Sequence, residues 1–261
     1  MITDIRQCHA YIPALLHAML AETEEKPWDT IIPALKHYYH DTIEHIYQLQ
    51  DDTDLAYILK VPGQLILSTS GTRGKIYEKG WRRNFNFKSV NGFHRGFKKS
   101  FDDLIKNALI TAMEGFRGKF LSCGHSAGDA INKHAIRMVM KDLKHKDAEH
   151  IGYCGPVMCD AEGKKQMKGL NITRLYLGKR DQVDNFEMFP LIRRIVKGVH
   201  VGYSVLLPDV GDPGINDNEW VDDYVFGHAP TYVCRSLIKL CHNWGFNYDA
   251  EINDIMRYAV K

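Results

Sequence analysis

The hydrophobic positions of this chain change period several times. Residues 3–20 carry apolar side chains at helical spacing, and residues 29–50 predict a second helix after the acidic, proline-containing turn between Glu22 and Trp28. Two short apolar runs follow, residues 54–60 and 64–69, which predict strands joined by a Val61-Pro62-Gly63 turn. Leu104, Ile105, Ala108, Leu109 and Ala112 return to helical spacing over residues 102–113. The run Lys119-Phe120-Leu121-Ser122-Cys123 then predicts a buried strand. Ile131, Ala135, Met138 and Val139 place a proline-free helix over residues 127–142. Residues 151–157, 171–177 and 200–207 predict further strands, and residues 231–244 and 249–260 predict closing helices. Such alternation implies an α/β architecture with helices on both faces of a central sheet.

Composition narrows this picture only slightly. A chain of 261 residues is long enough for one large core or two small ones, and 44% hydrophobic with 25% charged residues is ordinary for a globular protein. A net charge of +2 gives no overall case for nucleic acid. Cys8, Cys123, Cys154, Cys159, Cys234 and Cys241 contain no C-x-x-C pair, so a zinc ribbon or redox motif is not expected. No disulfide is needed at this length, and reduced thiols in a cytoplasmic setting are the expectation. The first twenty residues include Asp4, His9, Pro13 and His17 and make a poor signal peptide. No apolar run is long enough for a transmembrane helix, so a soluble protein is expected. His37, His40, Asp41, Glu44 and His45 would lie on two faces of one helix. Metal sites draw ligands from several elements, so these residues read as polar helix faces; neither metal nor organic cofactor is expected.

The chemistry is concentrated in Gly124-His125-Ser126-Ala127-Gly128, between a predicted strand and a predicted helix. In that context G-x-S-x-G reads as a nucleophile elbow, a turn too tight for side chains at Gly124 and Gly128. A serine hydroxyl needs a base, commonly a histidine oriented by a carboxylate. His134, eight residues along the helix, is expected to point along it rather than back to the serine. His145 and His150 fall in a basic connector and are expected to be solvated. His228, in a loop before the last helices, is the candidate base. Asp181, with Asp184 in reserve, is the candidate carboxylate, which keeps the order serine, acid, histidine. An oxyanion hole would use the backbone N–H of Ala127 and a donor from Thr72, in the Ser70-Gly71-Thr72 turn after an apolar strand.

These segments together resemble the class 3 (fungal-type) lipases of the α/β-hydrolase superfamily. Ser70-Gly71-Thr72 resembles that family's F-R-G-T/S segment. Trp81 with Phe85 and Phe87 is similar to W-x-x-D-L-x-F, and the 92–97 stretch to V-H-x-G-F. Gly124 to Gly128 matches G-H-S-L-G, Asp181 to Val183 resembles D-x-V, and His228 with Tyr232 is similar to H-x-x-x-Y. The resemblance spans roughly residues 54–235. It implies a single α/β-hydrolase domain over residues 1–261, with a helical extension over residues 1–50 and a lid near residues 73–90. It also implies Ser126, Asp181 and His228 as nucleophile, orienting acid and base, with Thr72 and Ala127 as oxyanion donors. The chain departs from the pattern at Thr69-Ser70, in place of Phe-Arg, and at Asp129, in place of a glycine. A carboxylate there suits a helix N-terminus, but is expected to repel anionic substrates or to loosen helix-on-strand packing.

Tyr77, Trp81 and Phe85 stand four residues apart, so a helical lid would carry an aromatic stripe opposite Lys75, Lys79, Arg82 and Arg83. Residues 73–99 hold nine Lys or Arg and one acid, Glu78. A basic amphipathic segment predicts contact with an anionic membrane surface and favours phospholipid over neutral glyceride. The expected activity is hydrolysis of carboxylic esters of lipids, lipase or phospholipase A in type, through an acyl-serine. The rival expectations are an esterase acting on a small soluble ester, and an inactive hydrolase fold used for binding.

Overall fold

The computed structural model describes residues 6–21, 27–72, 83–84, 86, 88–177, 199–208 and 230–243. Among these, seven strands make one sheet. They are β1 (His45–Gln50), β2 (Leu55–Val61), β3 (Gln64–Thr69), β6 (Lys119–His125), β7 (Ala148–Tyr153), β8 (Ile172–Tyr176) and β9 (Tyr203–Leu206), in that spatial order. β4 (Ser89–Val90) and β5 (Phe93–His94) form a separate small hairpin. β2 runs antiparallel to both of its neighbours, β1 and β3, and β3, β6, β7, β8 and β9 are mutually parallel. The Val61-Pro62-Gly63 turn is as predicted, with Gly63 at φ +75° supplying the left-handed conformation that a β-branched residue resists.

Strand alternation divides the core in two. Tyr57, Leu59, Ile66, Leu121, Cys123, Ile151 and Tyr153 face one layer, against α1 (Arg6–Ala21), α2 (Pro27–Tyr39) and α7 (Pro230–Asn243). Ala56, Ile58, Leu65, Leu67 and Phe120 face the other. There they meet α3 (Arg95–Ser100), α4 (Lys106–Met113) and α5 (Ala127–Arg137). A π-turn at Phe101–Ile105 joins α3 to α4, and a second at Met138–Asp142 extends α5. The short α6 (Ala161–Gln166) is capped by Asp160, whose carboxylate accepts from the N–H groups of Glu162 and Gly163.

α1 is bonded as well as packed onto the sheet. Its carbonyl at Tyr11 accepts from the Tyr153 hydroxyl at 2.6 Å, and its carbonyl at His17 accepts from the Ser68 hydroxyl at 2.7 Å. The buried His17 ring lies between the hydroxyls of Tyr57 and Tyr39, at 2.6 and 2.7 Å.

Three sequence expectations change. The helix expected over residues 29–50 stops at Tyr39; after a 3-10 turn with His40 at φ +48°, residues 45–50 become strand β1. The candidate ligand set His37, His40, Asp41, Glu44 and His45 therefore never shares a helix. Tertiary pairing wins here: six residues of β1 complete a ladder with β2, which a helix would leave unpaired. Strand β7 begins at Ala148 rather than at residue 151, so His150 belongs to the sheet. Helix begins at Arg95, seven residues before the expected start, because the His94 ring caps its first turn. Residues 249–260 lie outside the described residues. No helix among the described residues is long and apolar enough to cross a membrane.

Candidate active site

Parallel pairing brings the ends of β3, β6 and β7 to one edge of the sheet, with Thr69 opposite Gly124 and Gly124 opposite Gly152. The chain leaves β6 at His125 and enters α5 at Ala127, so Ser126 alone makes the turn. It does so at φ +53° and ψ −125°, outside the regions that side-chain-bearing residues favour. The strain is held from both sides. A Cβ on Gly124 would sit 2.6 Å from the backbone carbon of Gly128, and a Cβ on Gly128 would overlap the carbonyls of Thr69 and Ser70. The Ser126 N–H donates to the Tyr153 carbonyl on β7 at 2.9 Å. Asn132, six residues on, accepts from the Thr69 hydroxyl at 2.7 Å and donates to the Cys123 carbonyl at 2.6 Å. Ser126 is 8% exposed and Ala127 is buried.

Thr72 follows β3 at the same edge, half-buried after the buried Ser70 and Gly71. Its hydroxyl accepts from the Asn84 side-chain amide at 2.6 Å. Asn84 is itself held, since its carbonyl accepts from His94 Nε2 at 3.1 Å. The other nitrogen of that ring accepts from the Phe97 N–H and caps α3, and burial pulls the imidazole down to about 4. Next to Asn84, the buried Arg83 forms an ion pair with the buried Asp54, its guanidinium drawn down to about 10 by burial. A Cβ on Gly96 would overlap the Arg83 carbonyl. Sequence reasoning missed Asn84, although it occupies the Asp position of W-x-x-D-L-x-F.

The structure thus brings Ser126, Ala127, Gly124, Gly128 and Thr72 to one edge. Asp181, Asp184 and His228 lie outside the described residues, as do Tyr77, Trp81 and Phe85. Arg83 departs from its expected place on an exposed basic face: it is buried and paired. Lys98 and Lys99 pair with Asp102 and Asp103 one helical turn on. Three of the nine cations of residues 73–99 therefore have carboxylate partners outside that window.

The other histidines are resolved by packing. His134 lies against Phe93 and Phe101, with ring centroids 5.0 and 5.9 Å away, and burial lowers it to about 3. His145 is half-buried, with Nε2 on the Gly118 carbonyl at 2.8 Å. His150, expected in solvent, is fully buried. Its Nε2 meets Asp129 Oδ1 at 2.7 Å and its Nδ1 meets the Ser122 hydroxyl at 2.9 Å. Asp129 Oδ2 accepts from Lys133 Nζ at 2.8 Å, and all four residues are 0–1% exposed. This corrects both expectations for Asp129. Its charge is buried and balanced by Lys133, so it does not face a substrate. A Cβ on Gly152 or Gly155 would overlap its carboxylate, so β7 and the residues just after it make room for it and the packing stays close. Serine, histidine and aspartate in contact here have the connectivity of a triad, but Ser122 lies in mid-strand with 0% exposure and no substrate could reach it.

A cavity of about 750 Å³ lined by Lys164, Lys168, Leu170, Ile172, Val201 and Tyr203 adjoins the starts of β8 and β9. It lies at the opposite end of the parallel strands from Ser126 and is separate from this site. Among the described residues, no group of three or more His, Cys, Asp or Glu could hold a metal ion.

No protein-family model matches the chain, and neither does any curated protein. Solved structures do. Rhizomucor miehei triacylglyceride lipase is similar at a TM-score of 0.60 and 14% identity, over 87% of this chain and 97% of that one. A lipase of Yarrowia lipolytica gives 0.58 and 14%, over 78% and 81%. Lipase II of Rhizopus niveus gives 0.54 and 19%, over 75% and 80%. These likenesses agree with the resemblance read from the motifs, and at such identity they speak to the fold. This chain has the α/β-hydrolase fold of the fungal lipases, with its Gly-His-Ser-Ala-Gly turn at the carboxyl edge of the sheet.

Proposed function

We propose that the protein hydrolyses carboxylic esters of lipids through an acyl-serine intermediate. The observation that carries this reading is Ser126 itself. It stands alone between a parallel strand and a helix, at φ +53°, with side-chain-free neighbours at Gly124 and Gly128. A structure does not hold a residue there without compensation from its surroundings. In this reading Ser126 Oγ attacks the ester carbonyl carbon while His228, oriented by Asp181, takes the hydroxyl proton. The oxyanion is met by the Ala127 N–H and by Thr72. Because Asn84 donates to the Thr72 oxygen, the Thr72 hydroxyl proton is left to point at the oxyanion. Collapse breaks the bond to the alcohol, which leaves with the proton from His228. Water, deprotonated by the same imidazole, then releases the acid. Each oxyanion donor contributes about 3 kcal/mol to lowering the barrier.

The lipid part of the proposal draws on the names of the similar structures, which are lipases, and on the basic, aromatic composition of residues 73–90. One observation favours a narrower alternative, an esterase for a small soluble ester with that segment fixed. The Asp54–Arg83 pair and the Asn84–Thr72 bond tie residues 83 and 84 of the segment to the body of the fold. A panel of short esters, triglycerides and phospholipids, run on wild type, Ser126→Ala and His228→Ala, tests both readings. Hydrolysis lost in both variants and rising when substrate aggregates supports the lipase reading, whereas a rate indifferent to aggregation supports the small-ester reading. Absence of fluorophosphonate labelling at Ser126 would sink both.

A further inference from the structure

Beneath the serine turn, the α5-facing side of β6 and β7 carries polar residues where the neighbouring positions are apolar. Ser122 and His150 stand side by side across the two strands, with Gly152 next along β7, and Asp129 and Lys133 descend onto them from α5. The donors and acceptors can be assigned completely. Asp129 as a carboxylate accepts from the Lys133 ammonium and from His150 Nε2–H, and His150 Nδ1 accepts from the Ser122 hydroxyl. One positive and one negative charge balance, with the imidazole neutral between them. Burial lowers His150 in favour of that neutral form, while Lys133 and His150 hold the carboxylate well below its usual range.

Burying such a set is costly, and hydrophobic residues of equal volume would commonly serve stability as well. What the carboxylate does instead is local. Asp129 lies three residues after Ser126, in the first turn of α5. Its side chain fills the space left by Gly152, on the strand whose Tyr153 carbonyl receives the Ser126 N–H, and by Gly155 just beyond that strand. We propose that Asp129 is a positioning residue that pins the first turn of α5 to β7 through His150, with Lys133 balancing its charge, and so holds Ser126 in its strained conformation.

As a statement about catalysis this rests on Ser126 being the nucleophile, so the test has two readouts. One is the rate at which a small fluorophosphonate labels Ser126; the other is hydrogen exchange at the Ser126 amide, which requires no activity. Two charge-neutral double variants are compared. Asp129→Asn with Lys133→Met keeps an oxygen for His150 Nε2–H, and should label within about threefold of wild type. Asp129→Ala with Lys133→Met removes the anchor, and should label at least about tenfold more slowly, since ångström-scale misplacement of a reacting group can cost about a hundredfold. Its Ser126 amide should exchange at least about tenfold faster, at a temperature where both variants are fully folded. His150→Ala, which removes the anchor from the strand side, should repeat both changes and decides the matter if the alanine double variant does not fold. Wild-type labelling and wild-type exchange in the anchorless variants would overturn the proposal. If wild type itself does not label but exchange responds as stated, the anchor stands and the hydrolase reading falls.

Discussion

At the scale of single residues, the serine turn is an arrangement of close approaches. Gly128 touches the carbonyls of Thr69 and Ser70, so its value lies in the absent side chain. Gly128→Ala should cost about 3 kcal/mol of stability, at the upper end for overpacking a close-fitted site, measured by urea unfolding. A cost below about 0.5 kcal/mol would mean that helix and strand can separate freely there. The glycine pattern was legible in the sequence because G-x-S-x-G has a steric meaning. The fate of Asp129 was not. Its i,i+4 spacing to Lys133 is visible in the chain, but His150 arrives from another strand, and the room for the carboxylate is made by Gly152 and Gly155.

At the scale of elements, two contacts bear on residues 73–99. Asp54, at the start of β2, holds Arg83 in a buried ion pair. Asp54→Ala would leave a guanidinium buried without its carboxylate and should cost about 4 kcal/mol. The double variant with Arg83→Met should recover at least half of that loss in the same unfolding assay, and no recovery would show that the pairing matters little. Lys98 and Lys99 spend their charge on Asp102 and Asp103. If the segment meets anionic surfaces, binding to phosphatidylserine vesicles should fall at least about threefold in Lys75→Gln with Lys79→Gln, at about 1 kcal/mol per basic residue near such a surface. It should change less than about twofold in Lys98→Gln with Lys99→Gln. Equal effects from both pairs would refute this division of labour. These cations can be counted in the sequence; pairing with acids outside the counted window discounts three of them.

At the scale of the whole molecule, four buried histidines share one electrostatic consequence. His17 and His134 are lowered to about 3, His94 to about 4, and His150 is lowered as well, burial being the first cause in each case. Their folded values lie below the unfolded value near 6.5, so the unfolded chain binds more protons and stability falls as the pH drops through 6.5. The loss continues to about pH 4 for His94 and to about pH 3 for His17 and His134. Between pH 7 and 5.5 His17, His94 and His134 should each withdraw somewhat more than about 1 kcal/mol, on the order of 4 kcal/mol for the three, and His150 adds a loss in the same direction. Urea midpoints across that range check this, and His134→Leu should flatten the dependence by roughly a quarter to a third. A midpoint that does not move would contradict neutral burial of these rings.

The linear chain by itself determined the α/β alternation, the turn after residue 61 and the glycine-flanked serine between strand and helix. Each is a local matter of period, backbone freedom or steric room, decided within a few residues. Only the tertiary structure decided that residues 45–50 pair as an edge strand, that His150 is buried against Asp129, and that Asn84 holds Thr72. Those outcomes depend on partners up to 21 residues away supplying hydrogen bonds and charge. Once water is excluded, a polar group takes whatever partner the fold brings to it, and no local pattern names that partner in advance.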